Sequence, residues 1–384
     1  MTNHDRHRPD SRMKVLMIST SYPEDERDWR GVFIRHLAGG VARRPDLLLS
    51  LWAPPGKLPP RVESVTTATE AAWLGSLMKA GGISHLMREK GWRGFDAPLR
   101  LLRMLWNTYR RETSADLYHV NWLQCALPLP ADGKPVVVSV LGNDLNLLRI
   151  PGMRHLLRRT FLNRPVALCP NAEWMVPVLE RAFGDLAEVI PVSFGIDSTW
   201  YDVQRTIVEP AEWIAVTRLT ANKLGPLFEW SEPLFRHGGR TLHLLGPMQE
   251  QIAIPDWVRW HGPATPEELA THWFPRAQGL ITLSTHSEGR PQTMLEAKAA
   301  SLPIIASDMP AHATMIENGV DGFLCSDPTG YANAIAALED GRTNISVGEQ
   351  ARKDALAKFG TWDDAGARYA TIYHRLMTRA GRGH

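Results

Sequence analysis

Residues 279–310 read GLITLSTHSEGRPQTMLEAKAASLPIIASDMP, and the order of residue types in this stretch decides the fold class. An apolar run over 280–283 gives way to a polar turn, after which Pro291 stands where the first residue of a helix tolerates a missing N–H. Good helix formers fill 292–300, and a second apolar run over 303–306 follows a short break. Strand, loop, helix and strand at that spacing make a βαβ unit, which requires a parallel sheet. With the helix beginning near Pro291, Glu288 stands in the loop at the strand's carboxyl end. Glu296 faces the same crevice from the second helical turn. Open α/β sheets bind ligands in that crevice. Taken alone, two such glutamates are equally an ordinary solvated helix face.

A chain of 384 residues has room for two domains of ordinary size. Charged residues at 22% and apolar residues at 44% indicate a soluble globular protein. No apolar run approaches the ~20 residues needed to span a bilayer, and the opening MTNHDRHRPDSR is too polar for a signal peptide. A cytoplasmic protein is expected. Cys125, Cys169 and Cys325 lack C-x-x-C spacing and read as small buried hydrophobes in a reducing compartment. The net charge of +2 hides an asymmetry, with +6 over residues 13–195 and −5 over residues 196–384. A basic half and an acidic half suit two domains with different partners.

Residues 1–12 read as a disordered tail, 14–19 (KVLMIS) as a buried strand, 20–31 as a polar loop and 32–42 as an amphipathic helix. Gly31 at that helix entry either lets a backbone N–H approach an anion or simply permits a turn. A strand at 47–53 precedes a proline-rich loop. Residues 73–111 are then helical, basic and aromatic, with Lys79, Arg88, Lys90, Arg93, Arg100, Arg103, Arg110 and Arg111 among Trp73, Trp92, Phe95 and Trp106. An amphipathic helix pair packed on the first sheet is the default, and a membrane-surface role the sharper alternative. Strands at 116–120 and 134–141 follow; His119 and Asn121 end the first of them, where they face a cleft or serve the core. The second ends in Leu141-Gly142-Asn143-Asp144, where Asp144 suits an N-cap or loop organiser. Short strands at 165–168 and 189–192 lead to a domain boundary near residue 195.

The second half opens with a strand at 214–217 followed by Arg218 and Lys223, both at the mouth of the next helix. A strand at 241–245 ends in Gly246-Pro247, residues 257–262 lead through Gly262-Pro263 to a helix start with acids in its first turn, and helices close the chain at 331–338 and 363–379. There is no G-x-x-x-x-G-K-[ST], no G-x-G-x-x-G after a strand, no H-E-x-x-H, no G-x-S-x-G and no Asp-x-Asp pair. No metal ion and no cofactor are implied, and no recognition motif supports nucleic-acid binding by the basic half.

Taken together, Ser-Glu-Gly-Arg-Pro, Leu-Glu-Ala-x-Ala, Pro-Ile-Ile-Ala and Asn-Gly-x-x-Gly between residues 258 and 338 closely resemble the donor-binding signature of the retaining GT-B glycosyltransferases of the GT4 type. Ala-Val-Thr-Arg-Leu-Thr-Ala-Asn-Lys resembles that family's R-x4-K diphosphate clamp, and Ile-Pro-Val-Ser-Phe-Gly-Ile-Asp its interdomain crossing. The resemblance implies a GT-B fold: two Rossmann-like α/β domains, 13–195 and 196–360, facing an interdomain cleft, with 361–384 as a helix crossing back to the first. It implies a UDP- or GDP-sugar as donor substrate, held as follows. Arg218, Lys223 and the Gly31 loop take the diphosphate. Glu288, with the backbone of Gly289, Arg290 and Pro291, takes the sugar; Glu296 takes the ribose; Gly246, Gly262 and Pro263 lie near the base. His119, Asn121, Leu141 and Gly142 belong to the acceptor or sugar side, where the family's His is replaced by Leu141. The basic first half adds the expectation of a glycan or lipid-linked acceptor and peripheral attachment to an anionic membrane surface. A non-catalytic nucleotide-sugar-binding subunit and a sugar-nucleotide epimerase are the alternatives on the same fold.

Overall fold

The computed structural model describes residues 12–25, 28, 30–80, 96–206, 208–237, 239–286 and 290–382. The chain divides into two compact units. Unit 1 comprises Met1–Asn171, Val176–Phe194 and Trp362–His384; unit 2 comprises Ala172–Met175 and Gly195–Thr361. The tail expected at the start of the chain lies outside the described residues except for Arg12.

Unit 1 is built on a seven-stranded sheet in the order β3-β2-β1-β4-β5-β6-β7. Its strands are β1 (Met13–Ile18), β2 (Leu47–Trp52), β3 (Val62–Ser64), β4 (Leu117–Asn121), β5 (Val136–Val140), β6 (Val166–Pro170) and β7 (Glu188–Val189). Every pairing is parallel. The central strands β4, β5 and β6 are buried at every position, as sheets covered on both faces demand. Helix α1 (Val32–Ala42) and the C-terminal helix Trp362–Arg382 pack at a glycine pair: a Cβ on Gly40 would lie 2.1 Å from the Trp362 carbonyl oxygen, and one on Gly366 would lie 2.3 Å from Gly40. Nothing larger fits. Tyr373 and Tyr369 of the same helix reach the sheet, where the Tyr373 hydroxyl meets His119 Nδ1 at 2.6 Å and the Tyr369 hydroxyl meets Ser139 Oγ at 2.7 Å.

Unit 2 carries a six-stranded parallel sheet in the order β10-β9-β8-β11-β12-β13. Its strands are β8 (Glu212–Val216), β9 (Thr241–Leu245), β10 (Val258–Trp260), β11 (Gly279–Thr282), β12 (Ile304–Ser307) and β13 (Phe323–Cys325). The core joins Trp213, Leu242, Leu244, Ile281 and Ile305 to Tyr331, Ile335 and Leu338 of the helix Pro328–Glu339. The opening stretch forms its βαβ unit, β11, the helix Gln292–Ala299 and β12. Pro291 occupies the N-cap with extended ψ of 118°, so the helix begins one residue later than the proline-first reading supposed.

The sequence reading missed β3 and β13, three-residue edge strands too short for an alternation to show. It also missed the helix Gly341–Lys358, whose Gly341, Ser346 and Gly348 disguise the periodicity. Of the basic helical region, α2 (Ala68–Lys79) and the helix Asp96–Arg111 are described; Arg88, Lys90, Trp92, Arg93 and Phe95 lie outside the described residues.

Candidate donor site

In unit 2 the turns leaving the carboxyl ends of five strands are tied to one another by backbone hydrogen bonds. Thr217 N–H donates to Leu245 O at 2.8 Å, and Leu219 N–H to Pro247 O at 2.9 Å, joining the turn after β8 to that after β9. Gly246 N–H donates to Gly262 O at 2.7 Å, and Trp260 Nε1 to Gly246 O at 3.0 Å, adding the turn after β10. Gly246 has φ of +142°, and any Cβ there would sit 1.7 Å from the Thr217 carbonyl oxygen; only glycine permits that approach. Thr285 N–H donates to Asn222 O at 2.8 Å, and Ser307 Oγ to Ser284 O at 2.6 Å, which brings in β11 and β12.

Arg218 and Lys223 ride on this rim. Thr220 caps the short helix Ala221–Leu224 between the two cations, its side chain accepting from Lys223 N–H at 3.3 Å. Both side chains are half-buried. Glu288 and Gly289 follow the Thr285 turn and lie outside the described residues. Glu296 sits on the helix Gln292–Ala299, half-buried, with its carboxyl pushed up to about 8 by desolvation and by the like charge of Asp197. Asp197 holds its own place as an N-cap, accepting from Thr199 N–H at 3.0 Å. Pro263 follows Gly262 at the rim.

Arg290 behaves otherwise than a ligand-facing side chain would. Its guanidinium is 1% exposed, donates to Glu173 of the same unit at 2.5 Å and lies 4.8 Å over the Phe359 ring. Any donor contact by this residue is left to its backbone.

In unit 1, Gly31 has φ of +69°, and a Cβ would meet Ser21 and Tyr22 at 2.6–2.7 Å, so the turn alone accounts for a glycine there. His119 takes the structural side of its two readings: it is fully buried, with Nδ1 on Tyr373 and Nε2 on Ser139 Oγ at 2.8 Å, and burial lowers its pKa to about 3. Asn121 is also buried and donates to Ile18 O at 3.0 Å. Leu141 is half-buried and Gly142, at φ of +103°, turns the chain after β5. Asp144 organises this turn, accepting from Leu141 N–H at 3.0 Å and Leu123 N–H at 3.1 Å, and burial raises its carboxyl to about 6.

The sequence reading missed a buried charged cluster on the helix that carries Glu296. Lys298 is fully buried, donating to Asp321 and Asp354 at 2.7 Å each and to the Met315 carbonyl oxygen. A lysine amid alanines two residues after Glu296 gives no hint that it turns inward rather than to solvent.

Residues 227–340 match the family described as glycosyl transferases group 1. Over the whole length the solved structures agree: a sucrose-phosphate synthase from Thermosynechococcus elongatus superposes with a TM-score of 0.71 at 15% identity, covering 96% of this chain and 100% of that one. HepE of Anabaena in complex with UDP-glucose gives 0.65 at 15% identity, covering 94% and 100%. The fold is GT-B. Among curated relatives, a D-inositol 3-phosphate glycosyltransferase of Corynebacterium jeikeium is 30% identical over 149 residues, 38% of this chain and 35% of that protein. An N-acetyl-alpha-D-glucosaminyl L-malate synthase of Bacillus anthracis is 31% identical over 101 residues, 26% of each. The chain thus matches about a third or less of each curated relative. The matched segment contains the Glu296 helix, the Gly246 and Gly262 turns and the described part of the loop that precedes Arg290 in this GT-B chain.

Proposed function

We propose that the chain transfers a sugar from a nucleotide-diphosphate sugar to an acceptor hydroxyl, with retention at the anomeric carbon and no metal ion. The observation that carries this reading is the hydrogen-bonded rim of unit 2, which fixes the Arg218–Lys223 loop against the Gly246 and Thr285 turns and places half-buried Glu296 on the adjoining helix. Arg218 and Lys223 neutralise the departing diphosphate, a task for preorganised donors worth several kcal/mol. The start of the helix Gln292–Ala299 adds partial positive charge. Glu296 accepts from the ribose hydroxyls, Gly246, Gly262 and Pro263 border the base, and Glu288 with the backbone of Gly289, Arg290 and Pro291 orients the sugar. The anomeric C–O bond breaks toward the diphosphate through an oxocarbenium-like state. The acceptor hydroxyl adds on the same face and passes its proton to the leaving phosphate oxygen.

A uridine nucleotide is the first donor to try, given that HepE is described with UDP-glucose. Stabilisation by UDP, GDP, ADP or CMP in a thermal-shift series with EDTA present tests the binding half of the reading. At ligand 100-fold above its dissociation constant the gain is about 2.7 kcal/mol. No shift with any nucleotide, or a shift abolished by EDTA, would overturn it. A binding-only subunit would shift yet never turn over; an epimerase would return an isomerised nucleotide sugar with no free nucleoside diphosphate.

The proposed acceptor is a lipid-linked sugar or nascent envelope polysaccharide, met at an anionic membrane face by unit 1. Exposed Leu99 and Trp106 lie near Arg100 and Arg103 on one helix, and exposed Leu156 near Arg154 and Arg159 on the helix Met153–Phe161. Arg164, which follows the second of these helices, adds nothing to the exposed charge, because it is buried and donates to the Pro130 and Lys134 carbonyls. No helix among the described residues is long and apolar enough to cross a membrane.

A further inference from the structure

The helix Gln292–Ala299 ends against two arginines of unit 2 that have no carboxylate partner among the described residues. Arg205 donates to Ser301 O at 2.7 Å, Ala277 O at 2.8 Å, Gln278 O at 3.3 Å and Asn344 Oδ1 at 3.0 Å. Arg352, on the helix Gly341–Lys358, donates from Nε to Ala299 O at 2.9 Å and from Nη2 to Val203 O at 2.7 Å. Withdrawing a cation from water is costly unless it finds compensation. Here the compensation is the carboxyl end of the helix, whose unsatisfied carbonyls carry partial negative charge. Burial, and then the like charge of Arg352, lower the Arg205 guanidinium to about 10, so it keeps its proton at neutral pH. The close approach depends on Gly348, where a Cβ would lie 2.1 Å from Ser301 O.

The two arginines do more than end a helix. Arg352 holds Ala299 of the helix and Val203 of the stretch 197–205 with one guanidinium, and Arg205 closes that stretch with its side chain inside the same junction. The stretch is thereby strapped to the helix that carries Glu296. It begins at Asp197, which caps the turn Ser198–Asp202 and whose like charge adds to burial in raising the Glu296 carboxyl. Trp200 of that turn is buried, with its ring 5.0 Å from that of Phe274. Of the other charged groups on the elements packed against the helix, Asp354 is tied to Lys298, Arg352 to carbonyls, and Asp202, Arg342, Glu349, Lys353 and Lys358 are exposed. Asp197 is left as the one that acts on Glu296.

We propose that Arg205 and Arg352 are positioning residues for donor binding, strapping the stretch 197–205 to the helix so that the Glu296 carboxyl is held for the ribose with Asp197 beside it. In placing the ribose at Glu296 the proposal rests on the glycosyl-transfer reading above. The strap sets both where the carboxyl stands and how readily it gives up its proton. A contact that only stabilised the fold would set neither.

The test uses the full chain and calorimetry of UDP binding at pH 7.0 and 8.5. Wild type should bind about eightfold more tightly at the higher pH. Arg205→Met and Arg352→Met should each bind about tenfold more weakly at pH 8.5, the loss of one charged hydrogen bond, and the ratio between the two pH values should fall to about twofold as the like charge moves away. Arg205→Lys keeps the charge without the planar fork and should move both readings the same way by less, in a chain that keeps its fold. Asp197→Asn retains the turn cap and removes the charge, so it should lower the ratio to about twofold while binding at pH 8.5 stays within about twofold of wild type. Carbon-13 NMR of the Glu296 carboxyl, identified by its loss in Glu296→Gln, reads the same change in the free chain. Wild-type affinity and pH ratio in the arginine variants would overturn the proposal, as would a Glu296 titration that does not fall in Arg205→Met, Arg205→Lys or Asp197→Asn. A wild type that binds no nucleotide, with a Glu296 titration that still falls in those variants, would overturn the donor reading and support the strap.

Discussion

UDP should bind more tightly as pH rises from 7.0 to 8.5, and Glu296 should be the cause. The carboxyl of Glu296 titrates near 8 because the protein around it withholds water and Asp197 adds a like charge. A ribose diol donates its hydrogen bonds best to the ionised form, so apparent affinity follows the ionised fraction. With a pKa of about 8, that fraction is about 0.1 at pH 7.0 and about 0.75 at pH 8.5, a gain of about eightfold. The sign for the free chain is opposite. A folded-state pKa above the unfolded value favours folding below the ordinary carboxyl range, and that support is lost as pH rises toward 8. Ligand-induced stabilisation, not the melting temperature of the free chain, should therefore climb with pH. Isothermal calorimetry at several pH values reads the effect directly, with net proton release on binding at pH 7. Glu296→Gln should flatten the profile to whatever slope the diphosphate itself gives. An identical pH profile in wild type and Glu296→Gln would refute the reasoning.

Arg218→Ala or Lys223→Ala should lower turnover by ~10²–10³-fold, as loss of one preorganised oxyanion donor does, measured as kcat with the donor that UDP binding selects. Glu288→Ala should reduce kcat more than donor affinity, whereas Glu296→Ala should act mainly on affinity; comparing kcat with KM separates the two. Lys298→Ala should destabilise unit 2 by about 3–5 kcal/mol in urea unfolding, because it leaves Asp321 buried without its cation. Co-sedimentation should show binding to anionic vesicles at low salt that falls at high salt and is absent with neutral vesicles; Arg154→Glu with Arg159→Glu should abolish it.

What the sequence made legible was what rests on periodicity and on local turn chemistry. Buried runs such as VVVSV and TLHLL announced central parallel strands, and the polar turn between two apolar runs announced the βαβ unit around Glu296. The places of Arg218 and Lys223 followed from a strand end and a helix start four residues apart. What stayed hidden depends on partners far away in the chain. His119 belongs to the core because Tyr373, 254 residues later, fills its Nδ1 side. Arg290 turns inward onto Phe359, and Lys298 onto two aspartates that no local pattern connects to it.

The central claim is sugar transfer with retention, and the first-formed anomer of the sugar released from a nucleotide sugar tests it most directly. The full chain is incubated with the donor chosen by nucleotide binding, UDP-glucose first, in EDTA, and the released glucose is followed by proton NMR before it mutarotates. Release of α-glucose together with UDP, lost in Lys223→Ala, is the result predicted. Initial β-glucose, a requirement for divalent metal, or an isomerised nucleotide sugar with no free UDP would contradict the account.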